Sequence, residues 1–196
     1  MLRTLFSTLL LGTLLSACPT AQAQQQPTDA FATAPTTDGL QQLDRTYGFR
    51  DVTFEMPISA FRNLVLVDAT GNTKIYRRTT DSYQVGQAQA ASILYYFYKG
   101  KLITVRLTTQ GDANSRGMLE AFSDLYGPGY QANDHVEKHV WQGDKVYLGY
   151  EQNTLTNNAT VYIWSNALVE QRRREELKAA PKATPPSRQA PKTSRR

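Results

Sequence analysis

Apolar and polar residues alternate most regularly between residues 92 and 108, and this alternation predicts a β-hairpin. Its strands are residues 92–98 and 101–108, joined at Lys99-Gly100, where glycine supplies the positive φ that a tight hairpin turn requires. One side of the second strand holds Ile103, Val105 and Leu107. The other side holds Leu102, Thr104, Arg106 and Thr108. The alternation therefore predicts an antiparallel sheet with one packed face and one face in water.

Shorter β-prone runs predict the remaining strands, which are residues 49–54, 73–79, 137–141, 145–152 and 160–164. The segments 137–141 and 145–152 form a second predicted hairpin, because a Gln-Gly-Asp turn separates them. We expect most of these runs to join one sheet of about six strands.

Three segments predict helices. A short helix after Pro57 is indicated by apolar residues at spacings of three, namely Ile58, Phe61 and Leu64. The second helix begins with Asp112 as its cap and ends at Gly127-Pro128. Ser165 caps a final helix that reaches Lys178.

The order of these elements predicts an α+β fold, with two or three helices packed on one face of an antiparallel sheet. Both halves of the chain share a layout of helix and hairpin with a glycine turn, so two related halves are one interpretation. Residue identity between the halves is too low to establish a duplication.

The first 23 residues predict a signal peptide. Arg3 precedes an apolar run of about eleven residues, from Leu5 to Leu15, which is the length of a signal-peptide core. A membrane-spanning helix needs about 20 apolar residues. We therefore expect export to the periplasm or the cell exterior.

Two cleavage patterns remain open. Residues 15–18 (Leu-Ser-Ala-Cys) resemble a bacterial lipobox, which would make Cys18 a lipidated N-terminus and the protein a membrane-anchored lipoprotein. Ala21-Gln22-Ala23 instead fits an A-x-A cleavage site, and Cys18 would then be discarded with the signal peptide.

The net charge of +5 lies in the C-terminal part of the chain. Residues 169–196 carry a net charge of +6, whereas residues 24–168 carry −2. We therefore expect no nucleic-acid partner, because such a domain needs its positive field on the folded surface.

Composition predicts four parts: a signal peptide at 1–23, a polar spacer at 24–39, a single α+β domain at 40–178, and a disordered tail at 179–196. The tail has four prolines, five basic residues and no acid. It is either a solvated extension without a dedicated partner or an arm that contacts anionic lipid or polysaccharide. Membrane contact would come only through this tail or a lipid anchor.

The sequence contains no G-x-S-x-G, S-x-x-K, P-loop or G-x-G-x-x-G motif. His135, Glu137 and His139 would share one face of an extended strand. Successive side chains on that face lie about 7 Å apart, which suits a metal poorly. We expect neither a metal site nor a cofactor, and no catalytic residue stands out.

A cluster of aromatic residues is the main candidate for binding, because Tyr and Trp combine a flat apolar face with a polar edge. Its members are Tyr95, Tyr96, Phe97, Tyr98, Tyr147, Tyr150, Tyr162 and Trp164. The alternative is that they line the core and form cross-strand pairs. On the wet face we assign a candidate ligand site to Tyr96, Tyr98, Arg106 and Thr108.

Several short runs resemble small exported bacterial proteins of unassigned function: residues 47–51 (Tyr-Gly-Phe-Arg-Asp), 76–78 (Tyr-Arg-Arg), 96–102 (Tyr-Phe-Tyr-Lys-Gly-Lys-Leu), 126–128 (Tyr-Gly-Pro) and 141–143 (Trp-Gln-Gly). The layout is also loosely similar to β-lactamase-inhibitor-like domains and outer-membrane-assembly lipoprotein domains. Since these runs are turn and core residues, the resemblance implies a fold and an exported location but no catalytic residue.

These observations favour a non-enzymatic protein that binds an envelope protein or polysaccharide. Two alternatives remain open. One is a hydrolase that cleaves envelope polysaccharide with paired carboxylates, and the other is a purely structural lipoprotein.

Overall fold

A computed structural model describes residues 35–179. The predicted signal peptide, Cys18, most of the spacer and all but the first residue of the predicted tail lie outside the described residues. Within residues 35–179, no helix is long and apolar enough to cross a membrane.

The described part of the chain is an α+β domain with three helices and ten strands. The helices are α1 (Thr37–Thr46), α2 (Asp112–Tyr126) and α3 (Asn166–Ala179). The strands are β1 (Gly48–Phe49), β2 (Val52–Thr53), β3 (Leu64–Thr70), β4 (Thr73–Arg78), β5 (Gln84–Val85), β6 (Ala88–Tyr98), β7 (Lys101–Thr109), β8 (Lys138–Gln142), β9 (Val146–Gln152) and β10 (Ala159–Ser165). A single 3₁₀ turn spans Ile58–Ala60.

Eight strands form one antiparallel sheet. Its order is β3-β4-β6-β7-β10-β9-β8, and β5 pairs with the first part of β6. The strands β1 and β2 form a separate small hairpin. The α+β class is therefore confirmed, but the expected sheet of about six strands was too small, because the two-residue strand β5 and the edge strand β3 show no alternation of apolar and polar residues.

The core lies between α1, α2 and one face of this sheet. The apolar stripe of α2 contributes Met118, Phe122 and Tyr126, and the sheet contributes residues such as Tyr95 and Trp141. Gly39 of α1 lies so close to the backbone of Tyr126 that a Cβ there would be 1.9 Å from its carbonyl oxygen. Glycine is therefore required where the two helices cross.

The β6–β7 hairpin forms as predicted, with Lys99 and Gly100 both at positive φ in its turn. Near the turn, the sides of the sheet to which its residues point differ from the prediction, because a register shift lies between Tyr96 and Phe97. As a result Leu102 joins the main core with Val105 and Leu107, whereas Ile103 is buried outside that cluster. The simple alternation expected for residues 102 and 103 was wrong, since a bulge reverses the side on which a residue points.

Two local predictions before residue 70 were also wrong. The helix expected from Ile58 to Leu64 is only the 3₁₀ turn, and Leu64 begins β3. The strand expected at residues 49–54 is the β1–β2 hairpin, because Arg50 adopts a positive φ of 56° and turns the chain.

The helix boundaries follow local signals with two differences. Helix α1 begins at Thr37, inside the segment interpreted as a spacer, and Thr36 caps it by accepting a hydrogen bond from the Gly39 N–H. At α2 the cap residue is Gly111, so Asp112 is the first helical residue and not the cap. The predicted cap of α3 is present, because the Ser165 hydroxyl accepts a hydrogen bond from the Leu168 N–H.

Helix α3 lies against β7 and β10 and reaches the β6–β7 turn. There the Glu175 carboxylate accepts a 2.6 Å hydrogen bond from the Tyr98 hydroxyl and pairs with the Lys99 ammonium at 2.5 Å. Strand β3 forms one edge of the eight-stranded sheet, and its residues Val65, Leu66 and Val67 are exposed.

Candidate ligand-binding face

The sheet face opposite α1 and α2, here called the open face, carries three rows of side chains that run across the strands. The strand registers place Tyr96, Thr104, Trp164 and Tyr147 in the first row. They place Leu94, Arg106, Tyr162 and Gly149 in the second row. They place Ser92, Thr108, Thr160, Glu151 and Lys138 in the third row. Aromatic rings from three strands thus share one surface with hydroxyls and charged groups.

Tyr147 and Trp164 are cross-strand partners on β9 and β10, and their rings stack. The ring centroids are 4.0 Å apart and the planes differ by 9°. Tyr162 lies beside them, with its ring centroid 6.4 Å from that of Trp164, and it is 37% exposed. Tyr147 and Trp164 are half-buried and lie outside the main core, so each can offer a ligand only the part of its ring that the other does not cover.

Gly149 makes room for this arrangement. A Cβ at position 149 would lie 2.7 Å from Cε1 and 2.8 Å from the hydroxyl of Tyr147, so the tyrosine ring leans over the glycine. Any larger residue would push the ring off its position beside Trp164.

A shallow concavity of about 230 Å³ lies between these rings and two opposite charges. Lys138 and Glu151 line it, and their Nζ and Oε2 atoms are 3.4 Å apart. Partial burial raises the pKa of the Tyr147 phenol, so this hydroxyl keeps its proton at neutral pH and remains a hydrogen-bond donor. The concavity therefore offers apolar rings, donors and acceptors together.

An apolar groove adjoins the concavity on the β8 side. Its volume is about 470 Å³, and it is lined mainly by Tyr130, Val136, Val140 and Tyr147. Tyr147 and Lys138 line both depressions, so the two form a continuous surface.

Arg106 lies in the middle of the open face. Its guanidinium carbon is 5.5 Å from the centre of the Tyr96 ring, and its cross-strand partner on β10 is Tyr162. The Nε atom is buried without a hydrogen-bond partner in the part of the chain that the structure describes. Burial also raises the pKa of the Tyr96 phenol. Arg106 therefore lies between the side chains of Tyr96 and Tyr162.

Three of the four residues assigned to the site from sequence lie on this face, namely Tyr96, Arg106 and Thr108. The fourth, Tyr98, is only 6% exposed, and its hydroxyl is bonded to Glu175 of α3. It therefore belongs to the attachment of α3 and not to the exposed surface.

The aromatic cluster predicted from sequence divides between the two sides of the sheet. Tyr95, Phe97 and Tyr150 are buried in the core. Tyr96, Tyr147, Tyr162 and Trp164 lie on the open face. Sequence reasoning missed Lys138, Gly149 and Glu151, which become neighbours of the rings only through the β8–β9–β10 registers.

The histidines are arranged differently from the extended pattern considered above. Strand β8 begins at Lys138, so His135 lies in the preceding turn, with 88% of its side chain exposed. His139 faces the core side beside Trp141 and Tyr150, and its Nε2 is 3.4 Å from Glu137. Residues 35–179 contain no group of three or more side chains suited to holding a metal ion.

A second groove, of about 360 Å³, brings three carboxylates together near the start of α2, from Asp112, Glu120 and Glu137. Asp112 is engaged by Arg116 at 2.6 Å and by the Gln152 side-chain amide at 3.1 Å. This carboxylate therefore has a structural role in linking α2 to β9.

Comparison with protein-family models, with curated proteins and with solved structures found no match for this chain.

Proposed function

We propose that this chain is an exported, non-catalytic binding protein of the bacterial cell envelope and that its open face holds a saccharide chain. The observation that carries the proposal is the group of Tyr147, Tyr162 and Trp164 around the concavity over Gly149. Export is inferred from the signal-peptide pattern of residues 1–23.

A saccharide suits this surface better than a peptide. Sugar rings have apolar faces, which pack on aromatic rings, and a rim of hydroxyls, which need hydrogen-bond partners. The open face supplies both, since the half-buried Thr108 and Thr160 lie beside the rings. An extended peptide would instead pair with a free strand edge, where backbone donors and acceptors are unsatisfied.

The width of the aromatic surface fits a saccharide chain that lies across the strands. From Tyr96 on β6 to Tyr147 on β9 there are three strand spacings, and each spacing is about 4.8 Å. The aromatic groups therefore extend over about 14 Å. This length accommodates several sugar rings side by side.

Direct binding to polysaccharides tests the proposal. Purified mature protein is titrated by calorimetry with a panel of neutral and acidic polysaccharides, and Trp164→Ala and Tyr162→Ala are compared with it. We expect at least tenfold weaker binding for each variant, because truncating a central aromatic contact costs more than about 1.4 kcal/mol. Leu155→Ala is the control, since Leu155 is 92% exposed in the loop before β10.

The other functions predict different outcomes. A hydrolase would release new reducing ends from a member of the panel, and that result would contradict the non-catalytic proposal. A purely structural lipoprotein would bind no member of the panel and would carry acyl mass on Cys18. Intact mass of the mature protein separates lipidation at Cys18 from cleavage after Ala23.

A further inference from the structure

Arg106 lies between aromatic and apolar side chains, and a carboxylate of its surroundings, that of Asp68, is two strands away from Tyr96 in the first row. Arg106 forms no hydrogen bond or ion pair with any residue in the described part of the chain. Its immediate neighbours in the strand registers are Leu94 on β6 and Tyr162 on β10, and its guanidinium lies over the ring of Tyr96.

Arg78 is a partly buried arginine whose charge is matched, in contrast to Arg106. Its side chain is 16% exposed, and its guanidinium binds Asp51 through two nitrogens at 2.7 and 2.8 Å. Its Nε also donates to the Asp81 carboxylate at 2.5 Å. Arg78 therefore has two carboxylate partners, whereas Arg106 has none among the described residues.

The unpartnered Nε of Arg106 is energetically unfavourable. A buried donor without an acceptor costs about 1–3 kcal/mol, and more when it carries charge. Leucine or threonine at this position would avoid that cost. Nε itself has almost no accessible surface, so an acceptor from outside the described residues would bind the two terminal nitrogens of the guanidinium, which are not among the buried atoms and have no partner in residues 35–179.

The chemistry of that acceptor follows from the guanidinium. Its planar fork donates two parallel hydrogen bonds, and this geometry matches the paired oxygens of a carboxylate or a phosphate. The cation–π contact with the Tyr96 ring helps to hold the guanidinium in place before a ligand arrives. An unspecific positive field does not account for the arrangement, because residues 24–168 carry a net charge of −2.

We infer that the saccharide bound on the open face carries an oxyanion group, carboxylate or phosphate, and that Arg106 binds this group. This inference rests on the proposed function and specifies its ligand class. Tyr162 lies between Arg106 and Gly149 in the second row, so a sugar ring at the concavity would place its charged substituent next to Arg106.

Matched ligands test the inference. The probes are oligogalacturonate and its methyl ester, which share the same rings but differ in charge, and phosphorylated and unmodified dextran oligomers. We expect at least one charged probe to bind at least tenfold more tightly than its neutral counterpart. The preferred pair then shows whether the group is a carboxylate or a phosphate.

Arg106→Gln is expected to abolish this preference, and Arg106→Lys is expected to retain only part of it, because lysine keeps the charge but lacks the fork. Arg62→Gln is the matched control, since Arg62 is exposed just before β3 and lies outside the open face. The melting temperature of Arg106→Gln should stay unchanged or rise. A clear fall would show that Arg106 is structural and would overturn the inference.

The outcomes also separate the inference from the proposed function. Suppose that charged and neutral probes bind equally, and that Trp164→Ala weakens this binding whereas Arg106→Gln does not. That result would overturn the inference and leave saccharide binding intact. Binding of none of the probes and none of the polysaccharide panel would overturn both. A charge preference unaffected by Arg106→Gln would also reject the role of Arg106.

Discussion

The carboxylate of Asp44 accepts a 2.7 Å hydrogen bond from the backbone N–H of Asp144, which lies 100 residues further along the chain. Its other oxygen accepts hydrogen bonds of 2.9 Å from the N–H groups of Lys145 and Val146. One side chain near the end of α1 thereby satisfies three donors in the turn between β8 and β9. This turn positions Tyr147, so the first helix supports the open face from a distance.

Asp44→Ala should therefore destabilise the protein. We expect a loss of about 2–3 kcal/mol in the free energy of unfolding, because the three backbone donors lose a charged acceptor. Urea unfolding followed by circular dichroism measures this loss. Asp124→Ala is the control, since Asp124 is exposed on α2; equal effects of the two substitutions would contradict the role of Asp44.

Asp81→Ala should have a larger effect. The Asp81 side chain is 1% exposed, and it accepts hydrogen bonds from Arg78 and from the buried Tyr95 hydroxyl at 2.8 Å. Burial raises the pKa of Tyr95, so the phenol keeps its proton and donates. Removing the carboxylate leaves both donors unmatched, and we expect a loss of about 3–5 kcal/mol.

Asp51→Ala is the comparison for Asp81, because it removes the other partner of Arg78. Its side chain is 63% exposed, and the hydrogen bonds from Arg78 lower its pKa. Since solvent screens this pair, we expect a loss below about 1 kcal/mol. Thermal unfolding of both variants gives the comparison. Equal losses of stability in Asp51→Ala and Asp81→Ala would refute the prediction that the buried carboxylate contributes more.

The attachment of α3 should depend on pH. Hydrogen bonds from Lys99 and Tyr98 lower the pKa of Glu175 from 4.5 to about 2. Because the folded pKa lies below the ordinary value, the contact contributes fully above about pH 4.5 and is lost as the pH falls towards 2. Amide hydrogen exchange in α3 should therefore accelerate over this range.

Glu175→Gln should remove most of that pH dependence, because glutamine does not titrate. Glu120→Gln is the control, since Glu120 is exposed on α2 and far from α3 in sequence. An α3 exchange rate that is independent of pH in the unmodified protein would contradict this assignment.

Gly149→Ala tests the structure of the open face itself. The added Cβ would displace the Tyr147 ring from Trp164, so we expect at least tenfold weaker saccharide binding and altered fluorescence of Trp164. Trp141 is fully buried and should report no change in the core.

Gly117→Ala is the matched control for Gly149→Ala. Its Cβ would make only ordinary contacts with Ala88, at 3.4 Å, and alanine is favoured over glycine within a helix. We expect unchanged binding and about 0.5–1 kcal/mol of added stability. Unchanged binding in Gly149→Ala as well would refute the role of the Tyr147 ring.

Elements with strong local signals were predictable. The Lys99-Gly100 turn, the end of α2 at Gly127 and the cap at Ser165 each depend on a few adjacent residues, and the structure has all three. Helix α1 was not predicted, because its segment is polar and its stability comes from burial of Leu43 and close packing of Gly39 on Tyr126. The spacing of Leu40 and Leu43 in an otherwise polar segment is the helical signal that the sequence analysis missed.

The same distinction applies to the open face. The alternation in β7 by itself placed Arg106 and Thr108 on one side, and aromatic content alone marked the strands as candidates. Only the pairing of β7 with β10 puts Arg106 next to Tyr162, and only the pairing of β10 with β9 puts Trp164 against Tyr147. Side-chain alternation is set within a strand, whereas the neighbours of a strand are chosen by long-range packing. The sequence therefore determined which residues of one strand point to the same side. The tertiary structure decided which residues of different strands are in contact.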